Sequence, residues 1–391
     1  MDPRLDRTEE QEDASPTGLD TENGELSGLR QQIDEVDQQI VRLLNRRAAI
    51  ALRIGELKRR EGDAVYDPAR EAALRQRLAN LNPGPLPLAA LQSIYTEILS
   101  ASRDLQRRLR VAFLGPAGSF SHEAARKHFG SQVDYVPVNT IANVFEEASK
   151  GRVDYGLVPV ENSSEGSVNH TLDLLLDSEL KILAEVQLPI SQNLVSRVPL
   201  SAVRRVYSHP QAIAQCRRWL SQQLAVAEWV EVSSTSLAAK MAAEEEGTAA
   251  IATETAARIY GLDILARGIE DAAINVTRFL VIGHQMGRRS GNDITSLVFS
   301  VVNRVGALHD ALAIFQRRGI DLTRIESRPS RRKAWEYVFY VDLVGHPEDT
   351  NLQAALAELE QSAIFVKVLG AWPQGKPPLG DFSRANRGSG S

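Results

Sequence analysis

The chain has 391 residues, enough for two or three cores at roughly 150 residues each. Its 43% apolar and 24% charged residues are ordinary for a globular protein, and a single cysteine, Cys216, excludes an intrachain disulfide framework or a zinc site built on cysteines. No apolar run is long enough for a membrane span, and residues 1–25 lack a basic start followed by an apolar core, so the expectation is a cytoplasmic protein with no membrane partner.

The net charge of −5 conceals an asymmetry. Residues 1–25 carry nine acids against two bases without apolar periodicity, which predicts a disordered acidic tail. Residues 26–110 carry fifteen bases against ten acids, suiting either nucleic acid or a small polyanion. From Leu29 an apolar stripe recurs at four- and three-residue steps through Ile33, Val36, Ile40, Leu43, Ile50, Ile54 and Leu57, predicting one long coiled-coil-like helix over 29–60. Asp67 followed by Pro68 starts a second helix that runs to about Asn80. Asn82-Pro83-Gly84-Pro85 breaks it, and Pro87 opens a third with the stripe Leu88, Leu91, Tyr95, Ile98, Ser102, Leu105 and Leu109. Residues 26–109 thus read as an all-helical unit. A seam so long, with few partners in its own chain, predicts a homodimer or higher homo-oligomer sharing its core.

At Arg110 the texture changes. Short apolar runs at Val111–Leu114, Tyr155–Val160, Val203–Tyr207, Ala249–Ile251 and Phe279–Ile282 alternate with helical stretches, each preceded by small polar residues such as Ser119, Thr140, Ser208, Ser234 and Thr253. That predicts an α/β unit over 110–285 with mostly parallel strands in two lobes. Residues 294–372 read as strand, helix, strand, strand, helix, strand, a ferredoxin-like α+β order. Residues 373–391, rich in Gly, Pro and Ser, read as a flexible tail, and Arg331-Arg332-Lys333 as a solvated hairpin tip.

Arg47 interrupts the first stripe between Leu43 and Ile50, and an unpaired buried guanidinium would be very costly. Lys58, eleven residues on, falls within about 20° of the same face, and Arg30 flanks the stripe. A plain structural reading pairs Arg47 with Glu71 and lets Lys58 snorkel. Yet Asp67, Arg70 and Glu71 cluster at the start of the second helix, and Ser102 and Gln106 lie one turn apart on the third. Cations, a glutamate, a serine and a glutamine in a helical bundle suit a small dicarboxylate.

These eight residues, Arg30, Arg47, Lys58, Asp67, Arg70, Glu71, Ser102 and Gln106, resemble the pattern of the helical chorismate mutase family across 26–108, with a slightly shorter loop before the third helix. The resemblance implies that Arg30, reaching in from a partner chain, and Arg47 hold carboxylates. It implies too that Lys58 and Gln106 face the ether oxygen of chorismate and Glu71 its ring hydroxyl, with Asp67, Arg70 and Ser102 binding substrate. The conversion to prephenate is an intramolecular rearrangement, so the protein need only compact its substrate and stabilise charge as the ether bond breaks.

In the α/β unit three segments stand out: Phe113–Phe120 (FLGPAGSF), Val158–Ser167 (VPVENSSEGS) and Asn275–Phe279 (NVTRF). The first has no dinucleotide or Walker spacing, so no nucleotide cofactor is expected. Loops of Ser, Thr and Gly that feed helix N-termini do suit carboxylates. With Tyr207-Ser208-His209-Pro210-Gln211, these segments resemble prephenate dehydratase over 110–285. The resemblance implies Thr277 as proton donor, with Glu161, Asn162, Ser163, Ser208, Gln215, Arg278 and Phe279 lining a cleft between lobes. His209 reads as a structural helix cap.

In the C-terminal unit Gly306-Ala307-Leu308 opens a helix and Glu326-Ser327-Arg328-Pro329 ends a strand. As a pair in this topology they resemble the ACT regulatory domain, which implies phenylalanine binding at these seven residues and feedback inhibition. The combined expectation is a bifunctional mutase and dehydratase acting on chorismate and prephenate, with no cofactor, no metal and no nucleic acid. Two alternatives stand beside it. One is a dehydratase that uses arogenate. The other is an aromatic-metabolite-sensing binding protein with a DNA-contacting arm, disfavoured because Arg47 and Lys58 lie on the seam and no helix-turn-helix pattern occurs.

Overall fold

In the computed structural model the described residues are 18–164, 166–271, 275–330 and 337–375. The chain divides into two units between Glu61 and Gly62. The first is a single helix, α1 (Gly18–Glu61). It begins earlier than the stripe, so the end of the segment expected to be a disordered acidic tail is helical from Gly18, while residues 1–17 lie outside the described residues. Acidic sequence at a helix N-terminus complements its dipole, which favours the extension. The apolar seam of α1 is open in the single chain, with Leu29 51% and Leu43 62% exposed.

The second unit opens with α2 (Pro68–Leu81) and α3 (Leu88–Gln106). Asp67 caps α2 by accepting from the Arg70 amide, with Pro68 in the first turn, as its sequence predicts. There follow β1 (Leu109–Leu114), α4 (Phe120–Phe129), β2 (Val133–Val138), α5 (Ile141–Ser149), β3 (Tyr155–Asn162), β4 (Gly166–Ser167), α6 (Asn169–Asp177) and β5 (Lys181–Pro189), which form a first lobe. The chain then crosses to a second lobe of β6 (Asn193–Ser196), β7 (Arg205–Ser208), α7 (Pro210–Gln215), α8 (Arg217–Gln223), β8 (Glu228–Glu231), α9 (Thr235–Glu244), β9 (Thr248–Ala252), α10 (Glu254–Tyr260) and β10 (Asp263–Ala266). It returns on β11 (Val276–Gly283). Ser119, Thr140, Ser234 and Thr253 cap α4, α5, α9 and α10, so the small polar residues noted in the sequence do mark helix starts.

The expectation of mostly parallel strands is corrected: both lobes are mixed. β1 runs parallel to β2 and β3, and β7 to β8 and β9, but β11 is antiparallel to β3 and β5, and β6 to β9 and β10. The cause is the double crossing, since β5 leaves the first lobe and β11 comes back beside it in the opposite direction.

The last module comprises β12 (Asp293–Ser300), α11 (Ala307–Arg317), β13 (Leu322–Pro329), β14 (Tyr337–Val344), α12 (Thr350–Ser362) and β15 (Phe365–Pro373). Its strands order β13-β14-β12-β15, the ferredoxin-like arrangement read from the sequence. The tip Arg331-Arg332-Lys333 and residues 376–391 lie outside the described residues. This sheet is continuous with that of the first lobe through β15 and β5, paired at Gly370 and Ile182. A Cβ at Gly370 would lie 2.2 Å from the Ile182 carbonyl oxygen, so only glycine permits the join.

Candidate functional site

Thr277 lies near the start of β11, where the chain re-enters the first lobe, directly opposite Asn162 at the end of β3. Asn162 Nδ2 donates to Thr277 Oγ1 at 2.7 Å, and Asn162 Oδ1 accepts from the Ser164 amide at 2.9 Å. Ser163 ties the same strand ends together: its amide donates to the Val276 carbonyl, and its hydroxyl accepts from the Val276 amide. Gln215, at the end of α7, faces this cluster from the second lobe, with Oε1 3.5 Å from Asn275 Nδ2. Thr277, Asn162, Ser163 and Gln215 are therefore brought together. Asn275, which opens the NVTRF segment but is not among the expected cleft residues, joins them, as does Gln192. His209 caps α7 through Nδ1, the structural role expected of it.

Four expected cleft residues stand elsewhere. Ser208 is fully buried, and its hydroxyl donates to the Ile251 carbonyl at 2.9 Å inside the second lobe. Phe279 is buried in the first lobe's core among Phe113, Tyr155 and Val186. Glu161 and Arg278 face away from the cleft, because strand neighbours alternate faces and Thr277 and Asn162 occupy the other one. Arg278 donates to Asp342 of β14 and lies 2.7 Å from Glu185 of β5, and Glu161 accepts from Arg324 of β13 at 3.1 Å. Burial opposes the charge of Arg278, but Asp342 and Glu185 outweigh it and hold the guanidinium pKa above its ordinary value. These ions bind the last module to the first lobe.

The same alternation divides the proposed effector strand. Glu326 accepts from the Ser167 hydroxyl at 2.9 Å, and Arg328 reaches Asn169 and, at 3.4 Å, Asp173, so both are held against the first lobe. Ser327 and Pro329 point outward. Gly306 caps α11 in the left-handed conformation with φ 81° and offers its first turn no side-chain cap, while the Ala307 amide donates to the Arg304 carbonyl at 3.2 Å; Ala307 is buried and Leu308 packs on the module's core.

In the helical segment Glu71 is buried on α2 and pairs with Arg103 of α3. Arg103 is itself buried; it also donates to the Phe129 carbonyl at 2.6 Å and lies 5.8 Å from the Tyr66 ring. Sequence reasoning missed it because it sits beside Ser102, off the apolar stripe. Ser102 is buried, with its hydroxyl on the Ile98 carbonyl. Gln106 donates to the Ser102 carbonyl at 3.2 Å, and its buried Oε1 has no hydrogen-bond partner among the described residues. Asp67 serves as the α2 cap and Arg70 is exposed. On α1, Arg30 is exposed, while Arg47 and Lys58 are half-buried. Among the described residues no group of side chains could hold a metal ion.

Residues 29–107 match the chorismate mutase type II family, 111–287 prephenate dehydratase and 295–361 the ACT domain. With the fold, these define a multidomain enzyme that joins a helical mutase and a two-lobed dehydratase to a regulatory module. A bifunctional chorismate mutase/prephenate dehydratase of Aquifex aeolicus is 46% identical over 90% of this chain and 98% of its own. Prephenate dehydratase of Arthrobacter aurescens, solved in complex with L-Phe, is 34% identical with a TM-score of 0.62, covering 68% of this chain and 90% of that one. A solved structure described as a novel type of quorum quenching acylase is 30% identical with a TM-score of 0.63, over 68% of this chain and 98% of that one. The chain belongs to the bifunctional chorismate mutase/prephenate dehydratase family.

Proposed function

We propose that this chain rearranges chorismate to prephenate in its helical module and converts prephenate to phenylpyruvate in its two-lobed module, under feedback by phenylalanine. The observation that carries the second step is the Asn162 amide donating to Thr277 Oγ1 at 2.7 Å. A hydroxyl that accepts there keeps its own proton for the substrate. As the carboxylate leaves as carbon dioxide, its bonding pair enters the ring and the ring hydroxyl departs with its own pair. The Thr277 proton converts that poor leaving group into water, and solvent restores the threonine. Aromatisation drives the step, which suits so weak an acid.

For the mutase, Arg30 and Arg47 are assigned to the substrate carboxylates, Lys58 and Gln106 to the ether oxygen, and Glu71 to the ring hydroxyl. Arginine suits bidentate carboxylate recognition and lysine a point charge. The open apolar seam of α1 supports a homodimer that buries it, with Arg30 serving the partner's site. The effector is assigned to Gly306, Ala307 and Leu308 with the outward Ser327 and Pro329. The lack of a side-chain cap at the start of α11 supports this, as does the Arthrobacter relative solved with L-Phe. The cytoplasm is the proposed compartment. Purified protein given chorismate should release phenylpyruvate, more slowly when phenylalanine is added. Chorismate left unconsumed would refute the mutase assignment, and rates indifferent to phenylalanine the effector assignment.

A further inference from the structure

The hydrogen bonds around Thr277 continue beyond the residues assigned above. Asn162 Nδ2 donates not only to Thr277 but also to Asn275 Oδ1, at 2.9 Å. Asn275 is buried, 9% exposed, two residues ahead of Thr277 at the point where the chain returns to the first lobe. Its own Nδ2 points to Gln215 Oε1 at a long 3.5 Å. That oxygen also accepts from Gln192 Nε2 at 3.1 Å, so Gln215 is the acceptor and Asn275 the donor between them. The orientation of each amide thus dictates the next, and the series ends on Thr277.

An asparagine can present either end of its amide. With Nδ2 toward Thr277, as here, the threonine oxygen accepts, and among the described residues nothing takes its proton. With Oδ1 there instead, Asn162 would capture that proton in a hydrogen bond and disarm the donor. Asn275 Oδ1 on one side and the Ser164 amide on the other both favour the first orientation. We propose that Asn275 is a positioning residue for dehydration, holding Asn162 so that Thr277 offers its proton. This rests on the assignment of Thr277 as the donor.

The test uses the full-length chain, with dehydratase kcat and KM measured on prephenate and mutase turnover in the same samples reporting the fold. Asn275→Leu keeps the size and removes both hydrogen bonds; its kcat should fall by about 10²-fold with KM little changed. Asn275→Asp keeps an acceptor for Asn162 and should retain most of kcat, with any loss in KM, since it adds a negative charge near an anionic substrate. In an Asn162→Ala background, Asn275→Leu should cost at most about twofold more, because its effect passes through the residue already removed. An unchanged kcat, a rise in KM alone, or the full loss repeated in the Asn162→Ala background overturns the proposal. If Asn275→Leu also loses mutase turnover, Asn275→Asp decides: near-normal kcat supports the role and collapse of kcat overturns it. A wild-type protein inert toward prephenate would refute the Thr277 assignment itself, whereas an active wild type with an equally active Asn275→Leu refutes only the positioning.

Discussion

Arg278 gives the sharpest energetic prediction. Its side chain is 18% exposed and lies 2.7 Å from both Glu185 and Asp342, the latter only 3% exposed. Replacing it with methionine fills similar space but leaves two carboxylates facing each other without their shared cation. Removing one partner of a buried ion pair costs about 3–5 kcal/mol, because the survivor keeps its desolvation penalty. At about 2–4 °C per kcal/mol for domains of this size, the melting temperature should fall by roughly 6–20 °C. Thermal unfolding followed by near-ultraviolet circular dichroism reads this directly. Arg108, exposed and paired with Asp104 one turn away, is the control, and its methionine variant should melt like wild type. An Arg278→Met protein that also melts like wild type would refute the view that these ions bind the last module to the first lobe.

Burial, with the nearby Arg126 charge, pushes the His122 imidazole down to about 4. The unfolded chain therefore binds the proton first, and stability is lost as pH falls from about 6.5 toward 4, by an amount on the order of 3 kcal/mol; chemical unfolding across that range should show the slope, and His122→Gln should flatten it. Arg103→Met strips buried Glu71 of its closest cation, which should destabilise the protein by about 3 kcal/mol and lower mutase turnover more than dehydratase turnover in parallel assays. Leu43→Glu places a charge on the open seam of α1, and sedimentation should show the proposed homodimer weakened relative to wild type.

What the sequence disclosed depended on the scale of its pattern. A stripe running from Leu29 to Leu57 marks α1 because eight apolar residues repeat one period, and Asp67-Pro68 marks the start of α2 because both residues act locally. The order of the last module was equally readable, as each of its strands is bounded by turn residues. Facing was not. Glu161 and Asn162 adjoin in sequence, as do Thr277 and Arg278, yet alternation sends one of each pair to the cleft and the other to the last module. The same two-residue period turns Glu326 and Arg328 away from Ser327 and Pro329. Arg103 was hidden for a related reason: its partners are the distant Glu71 and a backbone carbonyl at Phe129, and no local spacing announces either.

Dehydration turns most directly on the proposed proton donor, Thr277. Wild-type and Thr277→Ala proteins should be given chorismate side by side, with prephenate and phenylpyruvate followed over time. Wild type should carry the flux through to phenylpyruvate, while Thr277→Ala should consume chorismate at the same rate and accumulate prephenate. Phenylpyruvate formed by the variant as fast as by wild type would contradict the account.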